Sequence, residues 1–503
     1  MLIIDSLDQD QELYMTTLSC PKQSQTVYRP RKPEKTPLFE VIKKHYTTWH
    51  KEHEKDNGSV PRYVENTFQK YLECGILAKG FACAHCEGCH KDFLIAFSCK
   101  RRGLCPSCNT RAMVETAAHL IENVIPLVPI RQWVISFPMR IRHYLKTPAI
   151  LQDVLRIVVD EIRKKLITCS PSMPDAKIGA VSFIQNFGTA LNFHPHFHLI
   201  VADGVFGSTG EVLQFNEVFL TPDDIADTQD CIHKRVLKFF SKKGWFDKEA
   251  VEKMLTYENS GFSLNAGVRI HSWDREGLER LIRYCARPCF ASENLRWNGN
   301  RLIYRLPKPN HKGQTFIQLE PIEFLEKIAA FIPPPHRHRH HYHGVFAPNS
   351  SERKKVAANA KKRIEHNAPS FVKETAEKIE KTSFNWAKLI ARIYETDPLM
   401  CTCGMKIKII SFVTHAAEIR RILSGIGWPT EPPDFDPPYE LIQWDVCQLI
   451  LGTKDGFPDI DQQSHCKIGP DPPASEETCD PLHWPDHSDP PHRDYSDPPH
   501  WND

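Results

Sequence analysis

Two pairs of cysteines constrain this chain more than any other feature. Cys83-Ala-His-Cys86 and Cys105-Pro-Ser-Cys108 are separated by eighteen residues. A C-x2-C pair turns the backbone so that both sulfurs face one ion, and two such pairs at this separation match the spacing of a structural zinc site. The segment between them then folds back as the hairpin of a ribbon. Cys89, His90 and Cys99 lie within reach and could replace one ligand, so the choice among them stays open.

Seventeen cysteines in 503 residues would suit a disulfide framework only in an oxidising compartment. The first fourteen residues carry no basic flank before an apolar run, so they do not read as a signal peptide. No apolar stretch approaches the ~20 residues that span a bilayer. A cytoplasmic protein with clustered, metal-binding cysteines is the expectation. A second C-x-C, Cys401-Thr-Cys403, resembles half a knuckle with no visible second pair, and no second zinc is assigned to it.

The charge is unevenly distributed. The formal net charge is +2, yet Pro429–Asp503 holds 3 basic and 17 acidic residues and 15 of the 39 prolines. That tail reads as disordered. The remaining body is basic, which suits a nucleic-acid binder. Lys100-Arg101-Arg102 sits just before the second cysteine pair and Arg111 just after it, where a ribbon would offer them to a phosphate backbone. A basic solvated surface is the plainer reading of the same residues.

Five stretches follow: a flexible lead-in (1–36), a helical and zinc-binding domain (37–125), a domain with an antiparallel sheet (126–330), a basic region (331–428) and the acidic tail (429–503). Apolar periodicity predicts two helices over 38–77 and further helices over 112–124, 151–166, 275–286, 324–331 and 384–393. Strands are expected at 132–137, 178–187, 191–201, 213–220 and 262–271, with a hairpin over 302–318. The order β-α-β-β predicts a multidomain α+β protein. The histidine-rich run 336–343 reads as an irregular, solvent-facing segment that touches DNA phosphates.

The strand at 191–201 carries the chemistry. Residues two apart on a strand share a face, so His196 and His198 project side by side while Phe197 and Leu199 go the other way. Two imidazoles so placed can hold one divalent cation, although an isolated H-x-H is more often a polar strand face. Tyr284 lies beside the apolar stripe of the helix over 275–286, a position that usually means packing.

Taken together, Tyr71–Gly80 (YLECGILAKG), Phe97–Cys108 (FSCKRRGLCPSC), Pro129–Pro138 (PIRQWVISFP), Leu191–Phe206, Arg283–Pro288 (RYCARP) and Tyr342–Asn349 (YHGVFAPN) resemble, in order, the rolling-circle insertion-sequence transposases of the "ninety-one" family. The resemblance spans roughly residues 38 to 428. It implies an N-terminal zinc-binding domain joined to an HUH nuclease (His, hydrophobic, His). It assigns His196 and His198 to a catalytic Mg²⁺ or Mn²⁺, Cys83, Cys86, Cys105 and Cys108 to structural zinc, and Tyr284 to the nucleophile. The other tyrosine of two-tyrosine members would fall four residues earlier, where this chain has Arg280, so the single-tyrosine branch is implied. Cys289 stands where a second proline is usual.

The implied activity is nicking and rejoining of single-stranded DNA ends through a 5′-phosphotyrosine. The partners would be element ends and target DNA, with no membrane and a homodimer as a possible assembly in the nucleoid. Tyr304 and Tyr342 are the substitute nucleophiles. Competing readings are a replication initiator or relaxase with the same chemistry, and a zinc-ribbon DNA-binding protein that no longer cuts.

Overall fold

The computed structural model describes residues 32–361, apart from 101–102, 174, 210–211, 257, 311 and 336, together with 401, 403, 405 and 407–432. Helix α1 (Pro37–Asn57) begins where the Thr36 hydroxyl accepts from the Phe39 amide, with Pro37 at a position whose missing N–H is not needed. Helix α2 (Arg62–Glu73) follows after the expected break. Their apolar faces, with Tyr46, Trp49 and Phe68 buried, do not close on each other alone. They share a core with Leu302, Tyr304, Phe324 and Leu325 from much later in the chain. The Trp49 indole donates to Glu326 Oε2 at 2.8 Å across that contact.

Strands β1 (Phe81–Cys86) and β2 (Asp92–Ala96) pair antiparallel, as a ribbon should. Helix α3 (Pro106–Asn123) leaves Cys105 as its N-cap. Then comes the main sheet, built on β3 (Ile130–Ser136), β4 (Gly179–Phe187) and β5 (Phe193–Ala202), with helix α4 (Pro148–Thr168) crossing between β3 and β4. A hairpin of β6 (Gly204–Thr209) and β7 (Val212–Glu217) leads into helices α5 (Pro222–Lys242) and α6 (Lys248–Leu255). Short strands β8 (Ser263–Asn265) and β9 (Arg269–Ile270) then edge β3, and helix α7 (Arg275–Cys285) follows. β10 (Leu295–Asn298), β11 (Arg301–Arg305) and β12 (Phe316–Leu319) form a separate sheet before helix α8 (Pro321–Ala329).

The main sheet is antiparallel, in the order β13-β4-β5-β3-β8, where β13 is His340–Gly344. Period-two alternation splits its side chains between two cores. Phe197, Leu199 and Val201 face α4 and α5, with Val154, Val158, Ile232 and Phe240. Ile200 and Ala202 face α3 and α7, with Leu120, Leu278 and Ile282. Both faces are therefore covered, which explains why β5 is apolar on both sides beyond His198. No described helix is long and apolar enough to cross a membrane.

Two expectations change here. The histidine-rich run is not wholly irregular: residues 340–344 form an edge strand against β4, and His343 Nε2 lies 2.9 Å from Ser182 Oγ. Tyr342 is the one strand-favouring residue in that run of histidines and arginines, so local propensity hid a strand that pairing imposes. Helix α9 (Arg353–Lys361) matches the basic segment expected there. The C-terminal segment also returns: β14 (Ile407–Val413) pairs antiparallel with β1, and helix α10 (Ala416–Gly425) packs beside it. The expected helix over 384–393, the lead-in up to residue 31 and the acidic tail from 433 onward lie outside the described residues.

Behind β5, Asp203 is 1% exposed and accepts from Arg131 Nε (2.7 Å) and Nη2 (3.0 Å) and from Arg269 Nε (2.6 Å). Arg269 also pairs with Glu217. The buried Asp203 carboxylate is thus shared by two guanidiniums, with Glu217 as a second partner for the less buried Arg269. Asp203→Ala should destabilise the domain by about 3–5 kcal/mol, because it strands buried charge. The check is the urea midpoint followed by tryptophan fluorescence. A loss below ~1 kcal/mol, the size of an exposed pair, would mean the arginines are solvated after all.

Candidate active site and metal centres

The turn into β5 sets the position of the histidines. Gly188 N donates to Asn192 O at 2.8 Å, and Leu191 adopts φ 55° while 1% exposed. A branched residue in the left-handed region carries a strain of about 1–3 kcal/mol, so packing must hold it there. Its side chain is anchored in the core shared by α1, α2 and α8.

Beyond the turn, His196 and His198 share a face of β5, their ring centroids 5.0 Å apart. His194 sits edge-on to His196 at 5.6 Å, and its carbonyl accepts from His196 Nδ1 at 2.8 Å. That bond fixes the tautomer and leaves Nε2 of His196 with a lone pair. His198 is 3% exposed, and its Nε2 has no partner. Its Nδ1 lies 3.0 Å from the Gln132 amide, which can donate to it or, turned over, accept from it. The second arrangement frees Nε2 to bind a cation. Burial pushes the His198 pKa down to about 3, with His196 and Arg287 adding to the effect. Burial also lowers His196, opposed by the His194 carbonyl and assisted by Arg287 and Arg142. Both rings are therefore neutral at physiological pH, the state a metal requires.

Gln185 stands directly opposite His196 in the β4–β5 register and is 2% exposed. Its Nε2 donates to the carbonyls of Cys285 (2.8 Å) and Tyr284 (3.4 Å), which fixes the amide orientation and leaves Oε1 unpartnered. An orphaned buried oxygen and an orphaned buried imidazole nitrogen on one sheet face fit a divalent cation. Sequence reasoning left the third donor unnamed. Alternation along β4 places Gln185 on this face, but only the strand register puts it opposite His196.

Helix α7 buries Leu278, Ile282 and Cys285 on the sheet and leaves Tyr284 46% exposed. The Tyr284 ring is edge-on to His198, with centroids 5.5 Å apart. The Arg287 guanidinium lies over that ring at 4.6 Å and near Phe187 at 5.8 Å, its Nε without a partner. Of the substitutes, Tyr304 is 3% exposed and its hydroxyl accepts from the Ala291 amide. Tyr342 sits on β13 with Arg353 over its ring at 5.5 Å. Arg280 lies one turn before Tyr284 and 3.9 Å from Glu276.

The cysteines do not assemble as Cys83, Cys86, Cys105 and Cys108. Cys105 and Cys108 instead meet Cys74 and Cys99, while Cys86 meets Cys89, Cys401 and Cys403. Cys83 joins neither group. Cys83 and Cys86 are three apart on β1, an odd separation that sends them to opposite faces. In the first cluster the Cys74–Cys105, Cys74–Cys108 and Cys99–Cys108 sulfurs are 3.6, 3.9 and 3.4 Å apart. A tetrahedron with Zn–S of about 2.3 Å has edges of roughly 3.8 Å. Hydrogen bonding with Cys105 pulls the Cys74 thiol well below its ordinary range and pushes Cys99 and Cys108 above it. Cys99 is one of the alternates the sequence offered, whereas Cys74 escaped notice because no second cysteine stands at C-x2-C spacing from it.

Of the basic residues expected at DNA, Arg111 is tied to Glu115 at 2.7 Å on α3. Lys100 has φ 49°, and Arg101 and Arg102 lie outside the described residues.

Two family models match the chain. Residues 41–137 match the family described as "Transposase zinc-binding domain", and residues 179–355 match the one described as "Putative transposase". The first range contains all of Cys74, Cys99, Cys105 and Cys108. The second contains Gln185, His196, His198 and Tyr284. Together they support a transposase of the insertion-sequence type that carries structural zinc. No curated protein and no solved structure is similar enough to this chain to count as a match.

Cys99→Ser should lower the zinc bound per chain by one ion, as read by atomic absorption, whereas Cys83→Ser should leave it unchanged. Loss of zinc in Cys83→Ser would restore the ligand set read from the motif.

Proposed function

We propose that this chain is an HUH-type transposase with one catalytic tyrosine, which nicks and rejoins single-stranded DNA ends through a 5′-phosphotyrosine. One juxtaposition carries the reading: the paired imidazoles of His196 and His198 with the solvent-accessible Tyr284 5.5 Å from the latter. The two family matches support its coarser part, a DNA-processing transposase.

Tyr284 supplies the nucleophile. Its phenol oxygen attacks the scissile phosphorus in line, forming a Tyr–O–P bond as the bond to the 3′ oxygen breaks. That oxygen takes up a proton and leaves as a free 3′-OH. The phosphodiester is exchanged for a phosphotyrosyl ester, so a later 3′-OH can attack the same phosphorus and release the phenol without ATP. His196 and His198 would hold a divalent cation, with Gln185 Oε1 as a third donor and Gln132 holding the His198 ring. When bound, Mg²⁺ or Mn²⁺ would polarise the non-bridging oxygens of the scissile phosphate. Arg287, over the tyrosine ring, and Arg142, which bears on His194 and His196, bring positive charge to where that phosphate must lie. Phe187, beside both Arg287 and His196, offers a stacking surface for an unpaired base.

One nucleophile per protomer means that donor and target strands would use Tyr284 of two protomers or the same Tyr284 twice. A homodimer meets the first requirement. The Cys74, Cys99, Cys105 and Cys108 cluster would hold structural zinc beside this domain.

The test is incubation of the full chain with labelled single-stranded element-end DNA and Mn²⁺, followed by a denaturing gel and mass spectrometry. A covalent adduct on Tyr284 is expected, absent in Tyr284→Phe and in His196→Ala. An adduct that survives Tyr284→Phe would overturn the nucleophile. Gln185→Ala should lower nicking at least about tenfold at limiting Mn²⁺ and recover in part as Mn²⁺ is raised, because it weakens the cation's hold; the share that Mn²⁺ does not restore reads the lost bonds to the Cys285 and Tyr284 carbonyls.

A further inference from the structure

We propose that Cys86, Cys89, Cys401 and Cys403 bind a second structural zinc ion, which clasps the returning segment around β14 and α10 onto the N-terminal ribbon. The site lies in part outside both matched ranges, since Cys401 and Cys403 belong to neither. It does not depend on the reading of the nuclease site.

The donor geometry comes first. Cys86 and Cys403 sulfurs are 3.4 Å apart, and those of Cys89 and Cys401 are 3.3 Å apart, with all four within 4.8 Å of one another. Thiolates in a four-sulfur set select zinc over harder cations. The backbone is shaped for it on both sides. Cys86 to Cys89 is itself a C-x2-C turn, closed by His90 N donating to Cys86 O at 2.8 Å and by Cys86 N donating to Lys91 O at 2.9 Å. His90 takes φ 56° to complete that turn. On the other side, Cys401 N donates to Met405 O at 2.8 Å, folding the C-x-C into a matching turn.

The two turns meet closely. A Cβ at Gly88 would lie 2.5 Å from Met405 Cγ and 3.4 Å from Cys403 Sγ, so the second turn is seated where only a glycine leaves room. Lys408 and Glu87 form an ion pair at 2.6 Å beside it.

The clasp has a physical reason. β14 must be brought back across more than three hundred residues to pair with β1, and closing so long a loop costs chain entropy. The apolar core at that end is small: Ala84, Cys86, Cys401 and Ile407. Ile409, Ile410 and Phe412 of β14 remain exposed and contribute little burial. At the other end Phe81, Val413, Ile419 and Leu423 form a second small cluster, and four metal–sulfur bonds would add to what little burial the two supply, as they do in small zinc modules.

The experiment is zinc stoichiometry of the full chain purified under reducing conditions, combined with hydrogen exchange. Two zinc ions per chain are expected. The double variant Cys401→Ser/Cys403→Ser should retain one, as should Cys89→Ser. In each, amides of 81–86 and 407–413 should exchange at least about tenfold faster while those of 193–202 stay unchanged. If these variants fail to fold, the wild-type chain serves: a chromogenic chelator should withdraw two ions, and in cobalt substitution the sulfur-to-metal charge-transfer band should grow until two equivalents are bound. One zinc per wild-type chain overturns the proposal. So does mass loss showing that the four thiols close as two disulfides.

Discussion

The register of β5 between β3 and β4 is the constraint on which the rest depends. Gln185 is held opposite His196, and Val134 and Phe183 flank His198. A slip of one residue on either side would move both imidazoles to the face that Trp133, Ile135 and Phe197 fill with α4 and α5. Burial on both faces makes that slip costly, so the apolar cores enforce the placement of the polar residues. Helix α7 then needs only to pack Leu278, Ile282 and Cys285 against the same face for its exposed flank to carry Tyr284 to His198.

A second constraint acts on the near end of that strand. Leu191, strained before β5, is buried in the core that also contains Tyr46, Trp49, Cys105 and Cys108. The N-terminal helices, the first thiol cluster and the turn before the histidines thus share one packed body. Metal at the thiols would stiffen that body and, through it, the start of the histidine strand. The zinc-binding part is in this sense a support for the site as well as a surface that could meet DNA.

Much of this was legible in the sequence wherever the determinants are local. The helices of 37–73, the strand of 193–202 and its period-two histidines, and the stripe of 275–285 follow from spacing alone, as does the α+β order. The cysteine grouping did not follow, because Cys83-x2-Cys86-x2-Cys89 contains two overlapping knuckle frames and the strand's face selects the second. Cys401 and Cys403 looked like half a site because their partners lie 312 and 317 residues away. The edge strand His340–Gly344 was hidden for a similar reason: its pairing with β4 is non-local and its composition is poor for strands. Gln185 lies in no quoted motif, and Gln132 lies in one without any role attached to it. They matter through what they face, and only the register shows it.

The return of β14 also orders events on the ribosome. β1 and β2 emerge early, yet their third strand and half of one thiol set come some three hundred residues later, after the whole histidine domain. At ~5–20 residues per second, that interval is roughly a quarter of a minute to a minute. During it β1 presents an open edge and Cys86 and Cys89 are without their partners. A nascent chain would therefore finish its six-stranded histidine sheet before its first sheet, and a message cut short after 361 would yield a histidine domain whose N-terminal ribbon is permanently unclosed.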